Sequence, residues 1–342
     1  MKKLFLLGIT FCLLFPLFPK VLAQPPEIES LDLYASPGVR GMGKPQGVVI
    51  RYERLPDFGL ESESDDPRLG DGEGQIRRHN KFAVRALAPL LNKPQTKLIL
   101  GFEYELEEFN FEGLNETSYD LYRYLEDKNL KSIGVQLAYL RSISERNFYL
   151  IRLKGELNGD YTQDNIKVSD YIKATVDVAY GWKKTPDYSI GVGLQWGYTF
   201  GRQRIFPGIL YNRTFNPNWG IESIFPANFR LRYNANEKTL FYTGYRLEGA
   251  SYNIIADRTA LAEFGEIELR RTDIKGLVRM EREIYDFLWF AVESGYRRYY
   301  RHRIFDEIGS TDELITNDLK GAGYVEVQLF LVPPRKWSER SN

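Results

Sequence analysis

Charged side chains recur at every second position along several extended stretches of this chain, and this spacing is compatible with two kinds of chemistry. A period of two in which the alternate positions are apolar predicts a β-strand with one apolar and one polar face. Polar faces that line a common interior could bind a solute or set the charge selectivity of a path. They could equally form salt bridges that fill and stiffen that interior, and the sequence leaves both interpretations open. The candidate lining residues are Glu103, Glu105, Glu107, Lys173, Asp177, Arg230, Arg232, Arg246, Glu248, Glu266, Glu268 and Arg270.

Catalysis would have to use the two histidines, His79 and His302. Hydrolases built into a barrel wall combine a histidine with a serine or with acidic residues, and Ser310 and several acids are near His302 in sequence. No nucleophile motif surrounds any serine, so we predict solvated loop histidines and no catalytic residues. We also predict no cofactor and no metal, because the Asp- and Gly-rich stretch at 65–74 lacks the ligand spacing of a calcium loop.

The segment DYSIGVGLQWGYTF (187–200) has the clearest alternation. Every even position from 188 to 200 is apolar or aromatic, and every odd position between them is glycine or polar. Similar alternation spans 97–107, 172–182, 229–234 and 322–331. Most of these runs exceed a usual globular strand of about 5–6 residues and approach the roughly 9–11 residues of a tilted transmembrane strand.

The first 23 residues, MKKLFLLGITFCLLFPLFPKVLA, predict an export signal with cleavage after Ala23. This segment contains the chain's one cysteine, Cys12, so a disulfide or a thiolate metal site is excluded from the mature chain. Three of the 46 basic residues and none of the 46 acidic ones lie in it, which leaves a net charge of −3. That balance gives no electrostatic case for nucleic-acid binding. No later stretch has the roughly 20 apolar residues of a spanning helix.

Short and long connections alternate along the chain, which favours a closed transmembrane β-barrel over a soluble β-sandwich. Only a closed barrel pairs all the backbone groups of strands placed in hydrocarbon. Tyr and Trp residues near the predicted strand ends are typical of interfacial girdles. Short turns are predicted at 92–95, 144–147, 184–187, 216–218, 234–238 and 285–286, and long polar segments at 56–79, 112–129, 158–167, 254–263 and 305–319.

Counting the strands gives an all-β, antiparallel barrel of about 14 strands, or about 12 if the proline-punctuated region 207–235 loses a pair. The predicted organisation is a signal peptide at 1–23, a periplasmic lead-in at 24–46, a barrel at 47–333 and a C-terminal tail at 334–342. The predicted strands are 47–55, 80–91, 97–110, 130–142, 147–158, 168–183, 187–201, 207–214, 217–224, 227–235, 239–254, 264–282, 286–304 and 320–332.

Residues 219–252 and 268–297 resemble an uncharacterised family of bacterial outer-membrane β-barrels, a domain of unknown function of the 6268 type. The resemblance covers most of the mature chain. It implies a barrel in the outer membrane and lends no activity and no catalytic residues. Its most recognisable elements are Glu222 to Pro226, the Arg232–Tyr233 pair, the run Leu247, Glu248, Gly249 and the Arg270–Arg271 pair.

We therefore expect an outer-membrane barrel that forms a narrow channel or transporter for small polar solutes. The alternative is a closed structural or surface-binding barrel without a pore, and an outer-membrane hydrolase is a weaker candidate. The expected partners are outer-membrane lipids, which the basic and aromatic run at 297–303 would meet through headgroup phosphates, and the barrel-assembly machinery. The small residues Gly191, Gly193, Gly197 and Thr199 favour an interior with free space.

Overall fold

A computed structural model describes residues 34–115, 118–161, 167–199, 202–257 and 260–334. The predicted signal peptide and most of the predicted tail lie outside these residues. Among the residues described, no helix has the length and apolar character needed to traverse a bilayer. The strands are β1 (Val48–Leu55), β2 (Phe58–Glu63), β3 (Gly72–Asn92), β4 (Thr96–Phe111), β5 (Leu130–Ser142), β6 (Asn147–Gly159), β7 (Ile172–Thr185), β8 (Tyr188–Thr199), β9 (Arg202–Thr214), β10 (Trp219–Phe225), β11 (Asn228–Asn236), β12 (Thr239–Ile255), β13 (Glu266–Tyr285), β14 (Leu288–Phe305), β15 (Glu313–Leu319) and β16 (Ala322–Leu331).

These strands close into a 14-strand antiparallel barrel, so the predicted fold class and strand number are confirmed. Each strand from β3 to β14 pairs with its sequence neighbour, β16 pairs with β14, and β1 closes the ring between β16 and β3. The short strands β2 and β15 pair with each other and continue the ring beyond β1 and β16. A soluble sandwich is excluded, because no second sheet faces this one among the described residues.

The two ends of the barrel differ. Tight turns join the strands at the end that we call the turn end, for example at 186–187 and 237–238. The opposite end, the loop end, carries the longer connections, including helix α1 (Asp120–Lys128) and a single helical turn, α2 (Val168–Tyr171). This segregation agrees with the predicted alternation of short and long connections.

Some predicted boundaries are wrong. The predicted loops 56–79 and 305–319 contain β2, the first eight residues of β3, and β15. In these segments the alternation of apolar and polar residues is only a few residues long and is surrounded by charged residues. The sequence pattern therefore predicts a polar connection there. The predicted strand start at 168 is instead α2, and β7 begins at Ile172. The proline at 207 lies inside β9, where it pairs in register with Leu194, so the 12-strand alternative is wrong.

Face assignments follow the alternation. On β8 the side chain of Leu194 points outward and is 57% exposed, whereas Gln195 points inward and its Nε2 donates to Asp177 Oδ1 at 2.7 Å. Tyr198 was expected on the apolar outer face, and this is wrong. Gly197 has a φ of +127°, which breaks the alternation, so the Tyr198 ring lies 4.3 Å from Lys173 Nζ inside the barrel.

Candidate functional site: the barrel interior

A segment that we call the strap, residues 35–46, runs along the inner rim of the turn end before the chain enters β1. Asn212 Nδ2 donates to the carbonyl oxygen of Pro37 at 2.8 Å, and Thr214 Oγ1 donates to that of Arg40 at 2.5 Å. The Gly43 amide donates to Glu222 Oε1 at 3.1 Å. Further strap contacts come from Ser142, Lys183, Ser189, Arg232, Asn234, Arg85 and Gln328.

The strap and the side chains beneath it close the turn end. Inward side chains there are cut off from solvent, including Phe148 on β6, Ser189 on β8 and Arg232 on β11. A second buried cluster at this end contains Val49, Leu240, Tyr242, Trp289, Ala291, Phe330 and Val332. An open mouth would expose these inward groups, so the turn end is closed.

One side of the interior is filled by paired charges. Between β1 and β12 to β16, Lys275 Nζ lies 2.9 Å from Glu248 Oε2, and Arg297 Nη2 lies 2.5 Å from Glu53 Oε1. Burying an ion without a partner costs several kcal/mol, which explains why cations and carboxylates alternate across these strands. Other pairs in this network are Arg246–Glu293, Arg279–Glu281, Arg297–Asp273 and Lys275–Glu53.

The loop end is closed by an apolar assembly that we call the cap. It consists of α1, β2, β15 and the outer parts of β3, β4 and β12 to β14. Its core is buried and continuous, so the cap seals this end of the barrel. The core includes Phe58, Leu60, Ile76, Phe109, Leu121, Tyr122, Leu125, Tyr252, Ile267, Leu269, Tyr299 and Ile304.

Hydroxyl groups of α1 tie the helix to this core. The Tyr122 hydroxyl lies 2.9 Å from both Ser62 Oγ and the Gly72 carbonyl oxygen, between which its single proton is shared. Burial raises the pKa of Tyr122 to about 12. Tyr119 donates to the Gly70 carbonyl oxygen at 3.1 Å, and burial likewise raises its pKa to about 12. Both phenols therefore remain proton donors through the neutral range.

Both histidines lie in the cap, and the prediction of solvated loop histidines is wrong. His79 is fully buried on β3, with Nε2 2.8 Å from Glu107 Oε1 and its ring stacked on Phe109. His302 is buried on β14, where its Nδ1 lies 3.0 Å from Asn317 Nδ2. β3 begins at Gly72, eight residues before its predicted start, and so includes His79. His302 lies within the predicted strand 286–304, in a part of β14 that the cap buries. Neither ring contacts a serine hydroxyl in the hydrogen bonds of the described residues.

The β12–β13 hairpin leaves the wall and crosses the interior at the loop end. The pairing of β12 with β11 stops at Arg246, and further along Asn253 bridges to Gly159 of β6. Lys173 Nζ donates to Asn253 Oδ1 at 2.7 Å and to Glu268 Oε1 at 2.8 Å. Because Lys173 is on β7, the hairpin reaches strands that are far from β12 in the ring. Polar residues therefore cover one of its faces and the cap core covers the other.

A chamber of about 320 Å³ lies between this hairpin and β3 to β8. Cations and carboxylates line it in nearly equal numbers, which suits a solute that carries both signs of charge. The chamber lies between the closed turn end and the cap. Its charged lining residues are Arg51, Lys81, Arg152, Lys154, Arg271, Glu103, Glu105, Glu156 and Glu248.

The sequence matches the family described as Domain of unknown function (DUF6268) over residues 108–311, which is more than half of the chain. The chain belongs to the DUF6268 family. The resemblance drawn from residues 219–252 and 268–297 is thereby confirmed. None of the curated proteins compared with the chain matches it.

Solved structures similar to this DUF6268 protein are outer-membrane barrels, with low sequence identity. An outer membrane channel from Pseudomonas putida F1 is 9% identical, with a TM-score of 0.37 over 89% of this chain and 100% of that chain. The NanC porin is 7% identical, with a TM-score of 0.34 over 81% and 99% of the two chains. The KdgM porin is 10% identical, with a TM-score of 0.31 over 82% and 97%. The assignment of the DUF6268 protein as a barrel is based on its own strand pairing.

The candidate lining residues fall into four groups in the DUF6268 barrel. Glu103, Glu105 and Glu248 line the chamber. Glu107 lies in the cap beside His79 and Arg271. The remainder are held in local pairs or lie outside the interior: Asp177 pairs with Arg152, Lys173 and Arg270 with Glu268, Arg230 and Arg232 with Glu222, and Arg246 with Glu248 and Glu293, while Glu266 is exposed at the start of β13.

Several interior charges of the DUF6268 barrel were missed. Lys81, Arg152, Lys154 and Glu156 line the chamber from β3 and β6, and they stand at alternate positions of runs that the sequence analysis had already assigned as strands. Their pattern could have identified them. Among the described residues, no group of three or more His, Cys, Asp or Glu side chains is placed to hold a metal ion.

Proposed function

We propose that this DUF6268 protein is an outer-membrane barrel that passes small polar solutes and is closed at rest. The closed ring and its apolar outer face support the membrane location, since a bilayer requires both. The predicted export signal and the segregation of tight turns from long connections support an orientation with the turn end in the periplasm and the loop end outside the cell. Insertion by the barrel-assembly machinery is part of the same proposal.

The chamber is the observation that carries this function. A barrel whose interior served only as structural support would be filled by its side chains, as the side between β1 and β12 to β16 is. The side facing β3 to β8 instead keeps about 320 Å³ of space. Glu105 forms salt bridges with Arg51 and Lys81 at distances of up to 3.1 Å, so the lining charges are already balanced. A net cation or anion would gain little there, and a zwitterion could contact both signs.

The strap is the better placed of the two closures to open. It is held to the wall by side-chain hydrogen bonds, by two backbone hydrogen bonds to the turns and by the exposed Arg40–Asp187 ion pair. Each such hydrogen bond is worth about 0.5–1.5 kcal/mol net. The cap has a continuous apolar core and would cost far more to disrupt. We therefore propose that the strap moves during passage, with the outer route passing beside the cap hairpin.

A permanently closed barrel is the second candidate, and the salt-bridge network between β1 and β12 to β16 favours it. Solute uptake separates the two functions. The mature chain carries no cysteine, and Ser189 Oγ lies 3.5 Å from the carbonyl oxygen of Ser36 in the strap. Ser36→Cys with Ser189→Cys therefore places two thiols at neighbouring positions of strap and wall, and loss of free thiol on oxidation shows that the reversible disulfide has formed.

The experiment measures uptake of glycine and of sucrose into liposomes that contain the full mature chain. We expect wild-type protein and the reduced double variant to admit glycine faster than sucrose, and the oxidised double variant to lose this uptake. The single variant Ser36→Cys, treated with the same oxidant, is the control and should stay active. A correctly inserted wild-type protein that admits neither solute, or uptake that the disulfide leaves unchanged, would overturn the proposal.

A further inference from the structure

The barrel wall has a gap beside the crossing hairpin. The strands β10 and β11 have 7 and 9 residues, whereas the flanking β9 and β12 have 13 and 17. A tilted strand needs roughly 9–11 residues to cross the hydrocarbon layer, so the wall at β10 ends within it. The pairing of β9 with β10 includes no residue before Ile209, and the pairing of β12 with β11 ends at Arg246. On the loop-end side of the turn at 226–227, β9 and β12 therefore have no strand between them. We call this gap the seam, bounded by 202–208 of β9 and 247–255 of β12.

The floor of the seam is apolar on both sides of the wall. Ile209 and Phe225 point outward and are exposed. Ile224 is on the inner face, since it alternates with Glu222, and yet it is 48% exposed. Because the neighbouring inward residue Glu222 is buried, the exposure of Ile224 indicates that the inner face of the wall becomes accessible at the end of β10. A hydrocarbon chain could lie across such a floor without meeting a charge.

The rim of the seam is basic. Arg202 and Arg204 lie at the loop end of β9, and Arg301 and Arg303 come from the outer part of β14. The Arg202 guanidinium lies 5.9 Å from the Phe305 ring at the end of β14, which joins the two strands at the rim. Arg204 is two residues further along β9, and Arg301 is two residues before Arg303 on β14.

One carboxylate serves this cluster. Glu313 contacts Arg303 and lies 3.6 Å from Arg202. Within the described ranges, Arg204 and Arg301 have no acidic group within salt-bridge distance. Four arginines around one carboxylate leave an excess of positive charge, and guanidinium groups bind phosphate through paired hydrogen bonds.

We propose that the seam binds a phosphate-bearing amphiphile of the outer leaflet. Its phosphate contacts the arginines of the rim, and an acyl chain lies over the floor formed by Ile209, Ile224 and Phe225. The site rests on the outer-membrane location in the proposed function, and it does not require that the chamber pass a solute. Charge complementarity selects the phosphate, and the short wall at β10 and β11 selects a ligand that is itself part of the bilayer.

The test measures binding to the full mature chain refolded in a non-ionic detergent, with diphosphoryl lipid A as the probe. Dephosphorylated lipid A and inorganic phosphate separate the contributions of headgroup and chain. We expect Arg204→Glu with Arg301→Glu to weaken binding by at least about tenfold, the equivalent of roughly 1.4 kcal/mol. Removing the phosphates from the probe should produce a similar loss. Arg77→Glu with Arg78→Glu, which reverses two exposed charges on β3, is the matched control and should bind as wild type does.

Ile224→Ser tests the floor and should weaken the binding of lipid A. The variant should leave unchanged the extent to which inorganic phosphate competes with lipid A for the arginines of the rim. If inorganic phosphate binds as tightly as lipid A, the rim is a site for the free anion and the proposal is overturned. Equal affinity of both double variants, or of the phosphorylated and dephosphorylated probes, also overturns it. This test measures binding and not transport, so its outcome does not depend on whether the protein takes up glycine.

Discussion

At the scale of single residues, the interior is organised by the cost of burying charge. Arg232 and Arg230 share one carboxylate, Glu222, at 3.1 Å. The sequence analysis placed both arginines on an inward face, and this position follows from alternation alone. Alternation does not identify the ion-pair partner of each arginine, because the register between neighbouring strands determines which carboxylate lies beside it. Burial also differs, since the Arg232 side chain is 0% exposed beneath the strap and that of Arg230 is 37% exposed.

This difference predicts unequal effects of two similar substitutions. Arg232→Ala leaves Glu222 buried with less compensation, and we expect it to cost about 3–5 kcal/mol of unfolding free energy. Arg230→Ala removes a partly solvated pair and should cost less than about 1 kcal/mol. Denaturant titration of the refolded barrel, followed by tryptophan fluorescence, measures both. Equal losses would show that the strap does not seal Arg232 from water.

At the scale of elements, most strands were predictable and the inward-folded parts were not. A strand with lipid on one side and a polar interior on the other keeps strict alternation, and β4, β5, β6 and β8 lie within two residues of their predicted bounds at each end. In the cap both faces of a strand are buried, as on β13 from Ile267 to Arg271, so the alternation disappears. The crossing of the β12–β13 hairpin depends on contacts with Gly159 and Lys173, distant in sequence, which no local pattern contains.

Adjacent positions on β8 test the assignment of faces. Leu194→Arg places a charge on the outer face near the middle of the strand, where we expect a loss of about 2–4 kcal/mol. Gln195→Arg points inward beside Asp177, which already accepts a hydrogen bond from Gln195, so its cost should be clearly smaller. Folding in vesicles, read from heat-modifiable migration on gels, compares the two variants. The reverse order of the two losses would contradict the assignment.

At the scale of the whole molecule, the barrel combines a closed axis with an internal space. The sequence predicted the barrel and its strand number, because both follow from pattern and parity. It also favoured an open interior on the basis of small residues that include Gly191 and Gly193, and the structure places the strap next to this stretch, where Ser189 contacts Ser36. Gly191 and Gly193 themselves lie against the neighbouring strands β7 and β9, and the free space lies on the side facing β3 to β8.

Ion conductance of the full mature chain in a planar lipid bilayer tests the closed axis most directly. A strap at one end and an apolar cap at the other leave no continuous aqueous path, so the account predicts inserted protein with no steady current and only brief, small openings. A stable current of the size carried by an open porin, recorded from protein whose heat-modifiable migration shows it to be folded, would contradict the account.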